Sequence, residues 1–107
     1  MEQILTLELY KDDNGKIPFY EWKCKLDLKT QARIEARLDR VQHSNFGDCD
    51  TVGEGIFELR FHFGAGYRIY FSKEKKAIVL LLCGGNKSTQ KNDIIKAKKY
   101  LDNYKRS

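Results

Sequence analysis

Residues 56–85 read IFELRFHFGAGYRIYFSKEKKAIVLLLCGG, and the spacing of apolar side chains along this stretch decides the fold. In IFELRFHF, Phe57, Leu59, Phe61 and Phe63 fall on one face and Glu58, Arg60 and His62 on the other, the two-residue period of a strand. GAG supplies a turn, and in YRIYFS the residues Tyr67, Ile69 and Phe71 oppose Arg68, Tyr70 and Ser72. After KEKK turns the chain again, AIVLLLC is apolar throughout, as a strand covered on both faces would be. Three strands joined by short turns are expected to be antiparallel neighbours whose polar faces converge on one concave surface carrying Arg60 and Arg68.

Working outward, residues 2–10 alternate, with Ile4, Thr6, Glu8 and Tyr10 opposed to Leu5, Leu7 and Leu9, which predicts a half-buried strand. The loop KDDNGK carries an Asn14-Gly15 turn signal. Pro18 then suits the first turn of a short helix with Phe19, Trp22, Cys24 and Leu26 as its apolar contacts. Asp27 is placed to cap a second helix, in which Ile34, Leu38 and Val41 recur at helical spacing beside Lys29, Arg33, Arg37 and Arg40. The segment HSNFGDCDTVGEG, residues 43–55, reads as a loop. In TQKNDIIKAKKYLDNY, Ile94, Ala97, Leu101 and Tyr104 form one helical stripe. The order β-α-α-β-β-β-α predicts a single α+β domain over residues 1–107, built on a small, mostly antiparallel twisted sheet.

Composition narrows the function classes. With 41% apolar and 12% aromatic residues the 107-residue chain is long enough for one modest core. It has no apolar run of about eighteen residues, and MEQILTLELYKDD lacks a signal peptide's basic flank, so a cytoplasmic protein with no membrane partner is expected. A net charge of +5 suits a polyanionic partner. Cys24, Cys49 and Cys83 form no CxxC pair, and His43 and His62 stand at no ligand spacing, so neither metal, cofactor nor disulfide framework is expected.

GGNKSTQ, residues 84–90, puts a flexible, basic turn directly after the most apolar strand. Gly84 and Gly85 permit close backbone approach, Ser88 or Thr89 is placed to cap the last helix, and helix N-terminal amides favour an anion beside Lys87. A Walker A loop needs a further glycine upstream and a Gly-Lys pair, and here Asn86 precedes Lys87, which argues against nucleoside triphosphate binding. The plainer reading is a strand-to-helix turn with a solvated lysine, Arg60 and Arg68 being paired with Glu58 and Glu54.

GIFELRFHFGAGYRIYF followed by LLLCGGNKSTQKNDIIKAKKY resembles the RelE/ParE superfamily of bacterial toxins, most closely its HigB-like, phage-derived branch of addiction-module killer proteins. The resemblance spans nearly the whole chain and rests on ELR, GYRIYF and LLCGG-K-TQ-DI-A. It implies a RelE-like sheet with two N-terminal helices on one side. It also implies a ribosome-dependent messenger RNA endoribonuclease that needs no metal and stops translation. A cognate antitoxin, for HigB-like proteins a helix-turn-helix protein of the HigA type, masks such a toxin and brings it to operator DNA. The ParE-like alternative poisons DNA gyrase, and a third reading is an inactive module that only binds its antitoxin.

The implied cleavage uses the neighbouring 2′-hydroxyl as nucleophile, so a site must remove its proton, stabilise the charge on phosphorus and protonate the leaving 5′-oxygen. The resemblance assigns phosphate binding to Arg68, in GYR, with Arg60, in ELR, beside it. Lys87 falls where relatives carry a basic catalytic or phosphate-contacting residue. Asp93 serves either as general base or as an acid in the first turn of a helix. Relatives with a C-terminal catalytic tyrosine have it near Gln90 and Asp93, while Tyr100 and Tyr104 lie later. Glu58 is a base or a partner of Arg60, and His62 carries the side-chain type suited to acid-base work near neutrality. Lys29, Arg33, Arg37 and Arg40 either bind RNA backbone or form an ordinary solvated helix face.

Overall fold

The apolar run after KEKK is β5, Ile78–Gly85, and it takes a neighbour on each side in the computed structural model, which describes residues 4–107. On one side β4, Arg68–Glu74, pairs antiparallel with it, and on the other β1, Thr6–Leu9, pairs parallel, Thr6 facing Ile78 and Leu9 facing Leu81. Residues 2 and 3 of the expected first strand lie outside the described residues. β3, Ile56–Arg60, runs antiparallel to β4.

A fifth strand corrects the reading of residues 43–55 as a loop. β2, Cys49–Gly53, pairs antiparallel with β3, Cys49 opposite Leu59, and gives the order β1-β5-β4-β3-β2. None of the β2 residues is buried, so apolar and polar types need not alternate along this edge strand, and a register shift between Thr51 and Gly53 interrupts the period further. Gly53, Glu54 and Gly55 all have positive φ, at 94°, 54° and 81°, and make the tight turn into β3 that reads as a loop in the sequence.

The two N-terminal helices, α1 at Pro18–Cys24 and α2 at Leu28–Gln42, cover one face of the sheet. Phe19, Ile34, Leu38 and Val41 pack there on Leu59, Phe61, Ile69, Phe71, Val79 and Leu81. Pro18 opens α1, where its missing donor costs nothing, and Asp27 caps α2 by accepting from the amide of Thr30 at 3.2 Å and its hydroxyl at 2.5 Å. The hydrogen bond from the Thr30 hydroxyl is the main reason the Asp27 carboxyl titrates below its ordinary value.

The other face is not the open polar surface expected from the strand pattern. α3, Gln90–Arg106, lies across it, and Ala97 and Leu101 pack on Tyr10, Ile56, Tyr70, Leu80 and Leu82. β5 therefore feeds two cores in alternation, Val79 and Leu81 to one and Leu80 and Leu82 to the other. Glu58, Tyr70 and Ser72 are buried beneath α3.

The double glycine marks where both helix layers close on the end of β5. A Cβ at Gly84 would stand 2.2 Å from the Trp22 ring of α1, and one at Gly85 would stand 1.8 Å from Asp93 Oδ2 of α3. Close approach is thus to the protein's own side chains. Thr89 stands at the N-cap position of α3 without a side-chain cap bond, and Asn86 caps the turn before it, its Oδ1 accepting from the amides of Ser88 at 2.9 Å and Thr89 at 3.2 Å. Thr89 Oγ1 accepts from the Asn86 amide at 3.1 Å, and the box holds a single 3₁₀ turn, Lys87–Thr89, ahead of α3. These amides are already occupied by the protein. Among the described residues no helix is long and apolar enough to cross a membrane.

Candidate nucleic-acid site at the end of the hairpin

The β3–β4 register sets Arg60 opposite Arg68 and Glu58 opposite Tyr70. Alternation puts all four side chains on the α3 face of the sheet. At the centre lies Glu58, whose side chain is only 1% exposed. Its Oε2 accepts from the Tyr70 hydroxyl at 2.9 Å and from Gln90 Nε2 at 2.7 Å, and its Oε1 accepts from Arg60 Nη1 at 3.1 Å. Burial, and then the bond to Glu58, push the Tyr70 hydroxyl far above its ordinary pKa, so it serves as a fixed donor.

The two arginines differ. Arg60 is committed: Nε and Nη2 both donate to Asp48 Oδ1, at 3.1 and 2.9 Å, and the bond to Asp48 is the chief cause of its raised pKa. Arg68 is not: Nη1 stands 3.7 Å from Glu58 Oε1, beyond hydrogen-bond distance, and the buried Nε has no acceptor. Lys87 reaches the same corner. Its amide donates to the Ala65 carbonyl at 3.3 Å, and a Cβ at Gly66 would meet Lys87 Cβ at 3.3 Å, so the GAG turn and the lysine lie one against the other. Glu54, expected beside an arginine, instead pairs with Lys98 at 3.3 Å.

Asp93 and Gln90 sit behind this corner. Asp93 is 7% exposed, its Oδ2 accepts from the Thr89 hydroxyl at 2.5 Å, and it packs on the backbone of Gly85. Gln90 spends its amide on Glu58. His62 is on the outside, its side chain 74% exposed, with Nε2 hydrogen-bonded to Asp48 Oδ2. Asp48 is the residue that sequence reasoning missed. It lies just before β2, in a Gly- and Asp-rich stretch with no period, and only the β2–β3 pairing brings it to Arg60 and His62. Arg60, then His62, hold its carboxyl down at about 2.

The basic residues of α2 lie on the opposite side of the sheet. Lys29 and Arg40 are exposed, and the Arg33 guanidinium stacks on the Phe63 ring at 4.0 Å. Arg37 is a clamp. It donates to the carbonyls of Arg60 at 2.7 Å, Phe46 at 3.0 and 3.3 Å and Asp48 at 3.1 Å, and its burial lowers its pKa. Arg33, Arg37, Arg40, Phe61, His62 and Phe63 line a surface cavity of about 190 Å³. Among the described residues there is no cluster of three His, Cys, Asp or Glu side chains able to hold a metal ion.

A twisted five-stranded sheet with a helix pair on one face and a helix on the other is consistent with a RelE-like fold. The profile of the phage-derived Gp49-like proteins matches residues 21–105, and the chain belongs to that family. The family is one of RelE-like toxins from addiction modules, which supports the superfamily reached from ELR and GYRIYF. A protein of Haemophilus influenzae, described as uncharacterized, is 49% identical over 83 residues, covering 77% of this chain and 84% of its own length.

Proposed function

We propose that the chain is the toxin of a type II toxin-antitoxin module, of HigB-like kind, acting in the cytoplasm as a ribosome-dependent messenger RNA endoribonuclease. One observation carries the reading. Arg68 is a largely buried cation whose guanidinium is held near Glu58 while its donors stay uncommitted. A site for an in-line attack on phosphorus needs such a group, preorganised and poorly hydrated, where charge develops on the non-bridging oxygens. Lys87, across the GAG turn, supplies a second cation at the same corner. The exposed cations of α2, Lys29, Arg33 and Arg40, offer a sequence-independent contact to ribosomal or messenger RNA backbone. Family membership supports a cognate antitoxin as partner, of helix-turn-helix type in this reading.

A second reading has one observation in its favour. Glu58 and Asp48 neutralise the two arginines from within, which suits a binding protein such as a gyrase inhibitor as well as an enzyme. Primer extension on a defined messenger RNA in a reconstituted translation reaction separates them. Cuts within the reading frame that need ribosomes and vanish with Arg68→Ala support the nuclease. No cuts from protein that still binds its antitoxin overturn it.

A further inference from the structure

We infer that the cavity between α2 and residues 61–63 seats a phosphate of nucleic-acid backbone between Arg33 and Arg40, the backbone being that of RNA in the nuclease reading on which this inference rests. Arg33, Arg37, Arg40, Phe61, His62 and Phe63 line that cavity together. Its volume of about 190 Å³ is below the ~300–1,000 Å³ of pockets that enclose a whole small molecule, so it suits one group of a larger ligand. None of the ion pairs among the described residues includes Arg33, Arg37 or Arg40. The carboxylate of Asp48 is held by Arg60 and His62. Burial first, and then the charge of Arg40, lower the Arg37 pKa, so these cations repel one another across the cavity. An anion between them relieves that repulsion.

The seat is preorganised. Arg37 is fixed by its bonds to the carbonyls of Phe46, Asp48 and Arg60, with its guanidinium 4.8 Å from the centre of the Phe61 ring. Carbonyls carry no net charge, so its positive charge stays in place beside the cavity while its donors are taken. It is a positioning residue, since the same bonds tie α2 to the segment that carries the two rings. Arg33 is the opposite case. Phe63 takes one face of its guanidinium at 4.0 Å, and the N–H donors lie in the plane of that group, where they can fork onto a phosphate.

The surface around the seat favours a polyanion. Lys29, Arg33 and Arg40 are all exposed, and at 3.6 residues per turn they fall within an arc of about 40°. The α2 carboxylates, Glu35 and Asp39, lie about 80° or more round the helix, and Glu35 is paired with Lys23 at 2.5 Å. From Lys29 to Arg40 the stripe runs about 16 Å at 1.5 Å per residue, which suits charges repeated along a backbone. An acidic peptide would also want an apolar seat, and here both rings lie against guanidinium groups. The seat is on the α2 side of the sheet and Arg68 on the α3 side, so the two take different phosphates.

The test is fluorescence anisotropy of a short labelled RNA duplex, titrated at several salt concentrations with the wild type, Arg33→Gln, Arg40→Gln, the double variant, Arg33→Lys and, on α3, Lys99→Gln. Each arginine removed is expected to weaken binding and to reduce the slope of log affinity against log salt by about 0.9, the double variant losing about twice that. Arg33→Lys, which keeps the charge, and Lys99→Gln are expected to hold the wild-type slope. A double variant with the wild-type slope overturns the seat. So does a DNA duplex bound more than tenfold tighter than the RNA, or poly-glutamate bound as tightly as the RNA, since the ligand would then be DNA or an acidic peptide. No ribosome is present and no cleavage is read, so the two readings fail separately. Binding through Arg33 and Arg40 by a protein that makes no cuts on ribosomes overturns the nuclease and leaves the phosphate seat standing. Cuts by a wild type whose RNA binding ignores both arginines do the reverse.

Discussion

The Tyr70 hydroxyl donates to Glu58 Oε2 at 2.9 Å between two side chains that face each other across the β3–β4 pair, both 1% exposed or less. This bond joins the core beneath α3 to the cationic corner. The carboxylate that receives Tyr70 on one oxygen receives Arg60 on the other and stands nearest to Arg68. Stability and site geometry therefore share one residue.

Glu58→Ala is expected to cost about 3–5 kcal/mol of unfolding free energy, because it strands a buried hydroxyl, an amide and the arginines at once. Glu58→Gln, which keeps the shape and one acceptor, is expected to cost about 1–3 kcal/mol. Urea unfolding of both variants checks the order. Equal costs would mean that the charge, and not the shape or the remaining acceptor, is what Glu58 contributes.

Gly84→Ala is expected to destabilise the fold by about 1–3 kcal/mol, since the added methyl lands on the Trp22 ring. Combining it with Trp22→Ala should cost less than the sum of the two single changes, because the second removes the obstacle to the first. A double-mutant cycle read by thermal unfolding measures the coupling. Additive costs would show that the clash is relieved elsewhere.

Asp48 makes stability depend on acid in a defined window. Its folded pKa of about 2 lies below the ordinary 3.8, so its contribution is fully present above the ordinary value and is lost as pH falls through the folded one. The urea midpoint of the wild type should consequently drop more between these two pH values than that of Asp48→Asn. Parallel curves would show that the carboxylate's partners stabilise it no more in the folded chain than water does in the unfolded one.

Much of the frame was legible because it rests on local periodicity. Pro18 at the start of α1, Asp27 at the cap of α2, the unbroken run of β5 and most of YRIYFS appear where the residues put them, whereas the strand expected over IFELRFHF ends at Arg60, three residues short of Phe63. β2 was not legible, because an edge strand held through backbone bonds next to left-handed turns leaves no pattern in side chains. Arg37 looked like one more cation on a helix face. Its carbonyl partners come from residues 46, 48 and 60, all brought to it by the chain's return.

By itself the sequence determined the three helices and every strand but β2, and which cationic and acidic side chains share a face of β3 and β4, since those follow from periods of two and of about 3.6 residues. Only the tertiary structure decided what each of these groups is for. α3 crosses the polar face, so Glu58 is a buried counter-ion, Asp93 a packing residue against Gly85, and the double glycine a seat for Trp22 and Asp93. Beneath the same helix the buried Nε of Arg68 is left without an acceptor, while His62, outside the strand, is exposed and bonded to Asp48. The physical reason is that hydrogen-bond partners and burial depend on what lies across from a side chain, and here those neighbours stand far away along the chain.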